Sequence, residues 1–209
     1  MTYNACIIWM HGLGADASNM EGLAAQLVNL SLIKIKHVFL DAPIRSITIH
    51  NGMQTRAWYN ICGATLLDRE DAAGILESQK QIEDAITVQI NQGMTPQRIF
   101  LAGFSQGGAM ALFCGINCTQ QLAGIISLSA YLPLIKQCIT NVAITIPIFM
   151  AYGQYDTIVQ PIWTKHSVQW LQDHDYNNIT LHEYSMEHSV CREEIVDLSS
   201  WLVDHIKKL

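Results

Sequence analysis

The stretch of sequence that decides the fold is RIFLAGFSQGGAMAL, residues 98–112. Its first part, residues 98–102, has the apolar pattern of a buried strand, and the residues after Gly107 have the pattern of a helix. The motif G-x-S-x-G, residues 103–107, stands between them. A serine on so sharp a turn projects its hydroxyl from the sheet edge, while the flanking glycines let strand and helix approach closely. The stretch therefore predicts a strand, a tight turn and a helix, with Ser105 exposed as a nucleophile.

The rest of the chain alternates short apolar runs with amphipathic stretches. Candidate strands, several of them apolar throughout, are residues 6–10, 37–40, 98–102, 123–129, 146–151 and 178–184. Helical periodicity is clear over residues 71–92 and 191–208. Such alternation is typical of an α/β protein with a mostly parallel central sheet and helices on both faces. Together with the serine turn it predicts the α/β-hydrolase fold.

The length of 209 residues suits one domain, and we expect residues 1–209 to form it. Residues 41–71 fit the alternation poorly, apart from a possible short strand at 46–50. Long irregular segments in compact domains tend to be functional. We expect this one to fold over the carboxyl edge of the sheet, where open α/β sheets bind ligands.

Composition and charge exclude several classes of function. The formal net charge is −6 and no basic block is present, which disfavours nucleic-acid binding. No apolar run reaches the ~18 residues of a membrane span, so we expect no stable membrane insertion. The six cysteines form no C-x-x-C pair, and the N-terminus does not resemble a signal peptide, which favours a cytoplasmic protein. Motifs for metals and nucleotides are missing, so we expect no metal and no cofactor.

A serine hydroxyl needs a base, and in this fold the order along the chain is Ser, then an acid, then His. We prefer Asp156 as the acid, because it directly follows the apolar run at 146–151. We prefer His188 as the base, because it lies in a loop between the last strand and the last helix. The weaker candidates are Asp173, Asp175 and Glu183 for the acid and His166, His174, His182 and His205 for the base.

A tetrahedral intermediate also needs two N–H donors for its oxyanion. The glycine-containing turn after the first strand, residues 11–16, can supply one of them, and the residue after the nucleophile can supply the other. We therefore predict an oxyanion hole formed by the backbone N–H groups of Leu13 and Gln106. The alternative interpretation is an ordinary tight turn with a structural His11, and the two interpretations are compatible.

Several segments together resemble the phospholipase/carboxylesterase family, which includes acyl-protein thioesterases and small bacterial carboxylesterases. They follow in the right order over nearly the whole chain, which is more specific than any one motif. The matching segments are WMHGLG at 9–14, DAP at 41–43, RAWY at 56–59, Gly74-Ile75 with Ser78, AGFSQGGA at 102–109, LSAYLP at 128–133, Gly153 with Asp156, and His188.

The resemblance implies a Ser105–Asp156–His188 triad, an oxyanion hole at Leu13 and Gln106, and no cofactor. It also implies substrate contacts by Trp58 and by Leu132, although each can simply be a packing residue. We add Val159 as a third candidate for substrate binding. The chain departs from the family pattern at Asn60 and Glu187, where the family usually has an acidic and a small residue respectively. The family also usually has a strand ahead of the first one here, so we expect one sheet edge to differ.

The expected reaction is hydrolysis of an acyl ester or thioester through an acyl-enzyme. Small acyl esters, lipidated proteins and lysophospholipids are all candidate substrates, and a homodimer that uses apolar loops around the site is a candidate assembly. Two other functions stay open: a non-catalytic module that binds acyl groups or lipids, and a hydrolase of peptides or lactones on the same scaffold.

Overall fold

A computed structural model describes residues 3–28, 33–63, 70–138 and 144–209. The strands are β1 (Ala5–Met10), β2 (Ile35–Leu40), β3 (Ile44–Ile47), β4 (Met53–Arg56), β5 (Ile99–Phe104), β6 (Gly124–Leu128), β7 (Ile148–Gly153) and β8 (Ile179–Tyr184). The helices are α1 (Ala17–Ala24), α2 (Ala72–Asn91), α3 (Gln106–Asn117), α4 (Pro161–Asp173) and α5 (Arg192–Ile206). All six predicted sheet strands and both predicted helices are present, with ends shifted by a few residues.

Six strands form one parallel sheet in the order β2-β1-β5-β6-β7-β8. The inner strands β1, β6 and β7 are buried along their whole length, as their apolar sequences predict. The outer strands β2 and β8 are half-buried for most of their length, because each has a neighbour on one side only. The predicted α/β architecture with a parallel sheet is confirmed.

Helices cover both faces of the sheet, and alternate residues of each inner strand point to opposite faces. On one face the side chains of α2, α3 and α4 pack together, with Ile75, Met110 and Leu171 among the buried residues. On the other face α1 and α5 contribute a second cluster that includes Met20 and Leu198. The sheet therefore lies between two packed layers of helices.

The irregular stretch after β2 contains a hairpin that the sequence located only in part. The short strand predicted at residues 46–50 has the wrong bounds, because β3 ends at Ile47 and a 3-10 turn follows. Asn51 and Gly52 both have positive φ, and this reverses the chain so that Ile47 pairs with Met53 of β4. Residues 64–69 of the same stretch lie outside the described residues.

Candidate active site

Ser105 occupies the turn between β5 and α3, with φ 54° and ψ −122°. Residues with a Cβ avoid this conformation, so the turn persists only because its surroundings hold it. The Ser105 N–H donates to the Leu128 carbonyl at 2.9 Å. A Cβ added to Gly107 would collide with backbone atoms of β1, and one added to Gly103 would collide with Gly107. The two glycines of the motif are thus required by contact between strand and helix.

His188 lies between Ser105 and Asp156. Its Nε2 is 2.8 Å from the Ser105 Oγ, and its Nδ1 is 2.7 Å from the Asp156 Oδ2. Asp156 is buried, and its Oδ1 accepts N–H bonds from Ile158 and Val159 at 2.8 and 2.9 Å. Because a carboxylate only accepts, this network assigns the imidazole proton to Nδ1 and leaves Nε2 free to accept from the serine.

Backbone contacts between two loops fix the distance from the carboxylate to the imidazole. Past the end of β7, the N–H groups of Gln154 and Tyr155 donate to the carbonyls of Tyr184 and Met186, at 2.8 and 3.0 Å. The ring of Phe104 also packs against the imidazole, with centroids 4.8 Å apart. The loop that carries His188 is therefore tied to the loop that carries Asp156.

The two backbone N–H groups predicted for the oxyanion hole are both available. Within the described residues, neither Leu13 nor Gln106 donates its backbone N–H to an acceptor, and both residues line the same cavity as Ser105. By contrast, the next N–H group after Leu13, that of Gly14, donates a hydrogen bond to the Arg56 carbonyl at 2.9 Å. Gln106 also begins α3, so its N–H adds to the positive end of the helix dipole.

His11, two residues before Leu13, is buried. The Ala42 N–H donates to its Nε2 at 3.0 Å, so the ring proton is on Nδ1, which donates to the Gly12 carbonyl at 2.7 Å. Burial lowers the pKa of His11, which keeps the ring neutral. His11 is thus a structural group that accepts from the loop after β2 and donates to a carbonyl of its own turn.

A cavity of about 920 Å³ opens above Ser105, large enough for a long acyl group. Among its described lining residues there is no Lys, Arg, Asp or Glu. Two of its tyrosines, Tyr59 and Tyr131, share a hydrogen bond of 2.9 Å between their hydroxyls, and burial raises the pKa of both. The site is therefore apolar, with neutral hydroxyl groups in its wall.

The three residues predicted for substrate binding are placed differently. Val159 lines the cavity, whereas Trp58 and Leu132 do not and are fully buried behind it. Trp58 uses its indole N–H on a backbone carbonyl, and Leu132 donates its N–H to Ser167. A direct contact of substrate with Trp58 or Leu132 stays a prediction, and the hydrogen bonds that both residues make here fit the packing interpretation.

Sequence reasoning missed part of the cavity wall. Lining residues that were not named as substrate contacts come from α1, from the hairpin, from the segments after β4 and β6, and from the start of α4, and include Met20, Ile49, Tyr59, Tyr131 and Trp163. The matching motifs RAWY and LSAYLP contained both tyrosines, but nothing in them said which side chain would face the cavity. Among the described residues, no three His, Cys, Asp or Glu side chains are grouped as metal ligands would be.

Three of the four weaker base candidates have partners away from Ser105. His182 lies 3.7 Å from Asp197, and the Nδ1 atoms of His174 and His205 are hydrogen-bonded to carbonyls of their own helices. Asn60, one departure from the family pattern, bonds the 3-10 turn of the hairpin: its Oδ1 accepts from the Thr48 N–H at 2.8 Å. It thus supports the hairpin and does not line the cavity.

The sheet order and the serine turn at the end of β5 define an α/β-hydrolase. Comparison with known proteins narrows this class. The sequence model of the family described as phospholipase/carboxylesterase matches residues 2–206. The chain belongs to this family, and with it to the carboxylic ester hydrolases.

Individual relatives cover almost the same span. Acyl-protein thioesterase 1 of Cryptococcus neoformans is 31% identical over 98% of this chain and 94% of its own length. The protein of the same name in Schizosaccharomyces pombe is 34% identical over 87% of this chain and 80% of its own length. The crystal structure of Arabidopsis thaliana SOBER1 matches with a TM-score of 0.89 and 25% identity, over 97% of this chain and 99% of that one. The similarity therefore extends over the whole sheet and the loops above it.

Proposed function

We propose that this chain hydrolyses acyl thioesters and esters through an acyl-enzyme on Ser105, and that acylated proteins are its main substrates. The observation that carries the proposal is the hydrogen-bonded series Ser105, His188 and Asp156 at an apolar cavity. Each bond is at the length that proton transfer requires. The relatives named acyl-protein thioesterase support the substrate class.

The geometry supports a two-step acyl transfer. As the Ser105 Oγ attacks the carbonyl carbon, His188 Nε2 takes its proton, and the carbonyl oxygen becomes an oxyanion held by the N–H groups of Leu13 and Gln106. His188 then gives the proton to the leaving sulfur or oxygen. In the second step, His188 takes a proton from a water molecule that attacks the acyl-enzyme. It then gives the proton to the Ser105 Oγ, and the carboxylic acid leaves. Asp156 stabilises the imidazolium in both steps.

The cavity lining supports a neutral acyl group as the part that is bound. An alkyl chain buried among apolar residues gains roughly 0.8 kcal/mol per CH₂ group. A phosphate drawn into the same cavity would find no Lys or Arg among the described lining residues, and the net charge of −6 would repel it. We therefore expect lysophospholipids to be poorer substrates than uncharged thioesters of the same chain length.

The first test is Ser105→Ala, with the exposed Ser200→Ala as its matched control. We expect Ser105→Ala to lower kcat on short p-nitrophenyl esters by about 10⁴- to 10⁶-fold and to abolish labelling by a fluorophosphonate probe. Ser200→Ala should behave as wild type. Full activity of Ser105→Ala would refute the proposal, and failure of the wild type to react with the probe would favour a non-catalytic binding module.

A substrate panel tests the class of bond. We expect kcat/KM to be highest for acyl thioesters and esters with neutral leaving groups, lower for lysophospholipids, and negligible for peptides and lactones. A peptide or lactone as the best substrate would move the chain to another reaction on the same scaffold.

Two further proposals concern the state of the protein in the cell. The six cysteines are all free thiols, which fits a reducing compartment such as the cytoplasm. Among the described residues, none of the helices has the length and apolar character of a membrane span. The homodimer stays a prediction, and light scattering over a concentration series tests it.

A further inference from the structure

We infer that Trp58 is a positioning residue that couples the two oxyanion donors, Leu13 and Gln106, without touching the substrate. The inference rests on the proposed function, because it concerns the N–H groups assigned there to the oxyanion. Trp58 lies in the segment after β4 and is completely buried. Its backbone N–H and its indole N–H both donate hydrogen bonds, the first to Gln106 and the second to His11.

The first contact joins Trp58 to Gln106. The Trp58 backbone N–H donates to the Gln106 Oε1 at 2.8 Å, and the Gln106 Nε2 donates to the Tyr59 carbonyl at 2.7 Å. The buried amide of Gln106 thus makes one bond as acceptor and one as donor to adjoining residues. The backbone N–H of Gln106 is the proposed oxyanion donor. Because the side chain of the same residue is bonded to Trp58 and Tyr59, the position of this donor is tied to the segment at 58–59.

The second contact joins Trp58 to the turn that contains Leu13. The Trp58 indole N–H donates to the His11 carbonyl at 2.8 Å, and the indole lies beside the imidazole with centroids 5.5 Å apart. His11 in turn donates from Nδ1 to the Gly12 carbonyl. Trp58 therefore fixes the backbone of His11 and one side of its ring.

The direction of the Leu13 N–H follows from peptide geometry. The Gly12 carbonyl and the Leu13 N–H belong to one planar trans peptide, so they point in opposite directions. Holding the Gly12 oxygen on the His11 ring therefore aims the Leu13 N–H the other way. If His11 shifts because the indole no longer holds its carbonyl, the Leu13 N–H turns with it.

A packing role and a positioning role make different predictions for Trp58→Phe. The phenylalanine keeps an aromatic body but has no N–H, so the His11 carbonyl loses its donor. If Trp58 only fills space, the variant melts earlier but each folded molecule keeps its turnover number. If Trp58 positions the oxyanion donors, stabilisation is lost in the transition state and not in the bound substrate.

The experiment compares Trp58→Phe with Trp201→Phe, a buried tryptophan of α5 that packs against Phe100 and Phe149 on the opposite face of the sheet. Active sites are counted by fluorophosphonate labelling so that unfolded protein does not enter kcat. For Trp58→Phe we expect kcat on p-nitrophenyl butyrate to fall by about 10- to 100-fold, below the ~10²- to 10³-fold cost of deleting a whole donor. We expect KM to change less than twofold, and Trp201→Phe to keep wild-type kcat.

Binding of a transition-state mimic provides a second readout. A trifluoromethyl ketone forms an oxyanion when Ser105 adds to it, so its affinity should fall by the same factor as kcat/KM. Binding of the corresponding secondary alcohol, which forms no oxyanion, should not change. A kcat for Trp58→Phe equal to that of Trp201→Phe, or an unchanged affinity for the ketone, would overturn the inference.

Gln106→Met tests the other end of the coupling and serves if Trp58→Phe does not fold. It removes the side-chain amide but keeps the backbone N–H, so we expect the same fall in kcat. The double variant should lose less than the product of the two single losses, because both changes break one connection. Independent losses would contradict the coupling. If Ser105→Ala is inactive while both these variants turn over normally, only this inference fails and the proposed function stands.

Discussion

Glu194, in the first turn of α5, is a buried carboxyl group that the proposed mechanism does not use. It is 0% exposed, and neither of its oxygens has a hydrogen-bond partner among the described residues. Burial raises its pKa from the ordinary value of 4.5 to about 8, and the nearby backbone of Cys191 offsets this only in part. At neutral pH the folded protein therefore keeps a proton on Glu194 that the unfolded chain has released.

The consequence for stability has a definite sign. Between pH 4.5 and about 8 the folded state binds more protons than the unfolded state, so the free energy of unfolding falls as the pH rises. The slope is about 1.4 kcal/mol per pH unit, and over the whole window the loss from this group is at most about 5 kcal/mol. Glu194→Gln has the same shape and no proton to lose, so it should be more stable than wild type at pH 8 and similar at pH 4.5.

Urea denaturation at pH 5 and pH 8 measures the effect, with the exposed neighbour Glu193→Gln as control. Wild type and Glu193→Gln should lose several kcal/mol between the two pH values, and Glu194→Gln should lose clearly less. A difference of this size corresponds to a change in Tm on the order of 10 °C for a chain of this length. The same pH dependence in all three proteins would refute a protonated, buried carboxyl at this position.

Three further changes have defined outcomes. Asp156→Asn should lower kcat about 10⁴-fold with little change in fold by circular dichroism, because an amide donor facing His188 Nδ1 forces the tautomer that cannot accept the serine proton. Gly107→Ala should give little or no folded protein by thermal melting, because its Cβ meets backbone of the first strand, whereas Gly22→Ala, which meets nothing in α1, should be neutral or up to about 1 kcal/mol more stable. Tyr131→Phe should cost about 1–3 kcal/mol in urea unfolding, since it leaves the other buried hydroxyl of the pair without a partner.

The strands of the sheet could be predicted from the sequence because each buried strand is marked by its own run of apolar residues. A strand covered on both faces is apolar at most positions, and β1, β6 and β7 are buried along their whole length, with the hydroxyl of Ser127 in β6 donating to the Gly108 carbonyl. The hairpin was predicted only in part because its bounds depend on the turn at Asn51, where a non-glycine residue adopts positive φ. Residue type alone predicts such a conformation poorly.

The positions of the candidate triad could be predicted because each residue lies in the turn or loop that follows a strand of a parallel sheet. Ser105 follows β5, Asp156 follows β7 and His188 follows β8, so all three meet at one edge. The environment of Glu194 could not be predicted in this way. A carboxylate in the first turn of a helix ordinarily faces solvent and favours the helix dipole. Here only the packing of α5 against the sheet decides that Glu193 is exposed and Glu194 is not.

The role of Trp58 could not be predicted from the sequence either, because its side chain can pack or bind in two ways. The motif RAWY indicates a position near the site, but an indole beside a cavity can face the substrate or turn its N–H to a carbonyl behind it. The sequence separation of 47 residues between Trp58 and His11 hides the partner. Because a buried indole donor almost always finds an acceptor, its direction depends on which carbonyl the fold brings near. The carbonyl is that of His11, in the turn that contains Leu13, and this choice of acceptor is the basis of the coupling that we infer between the two donors.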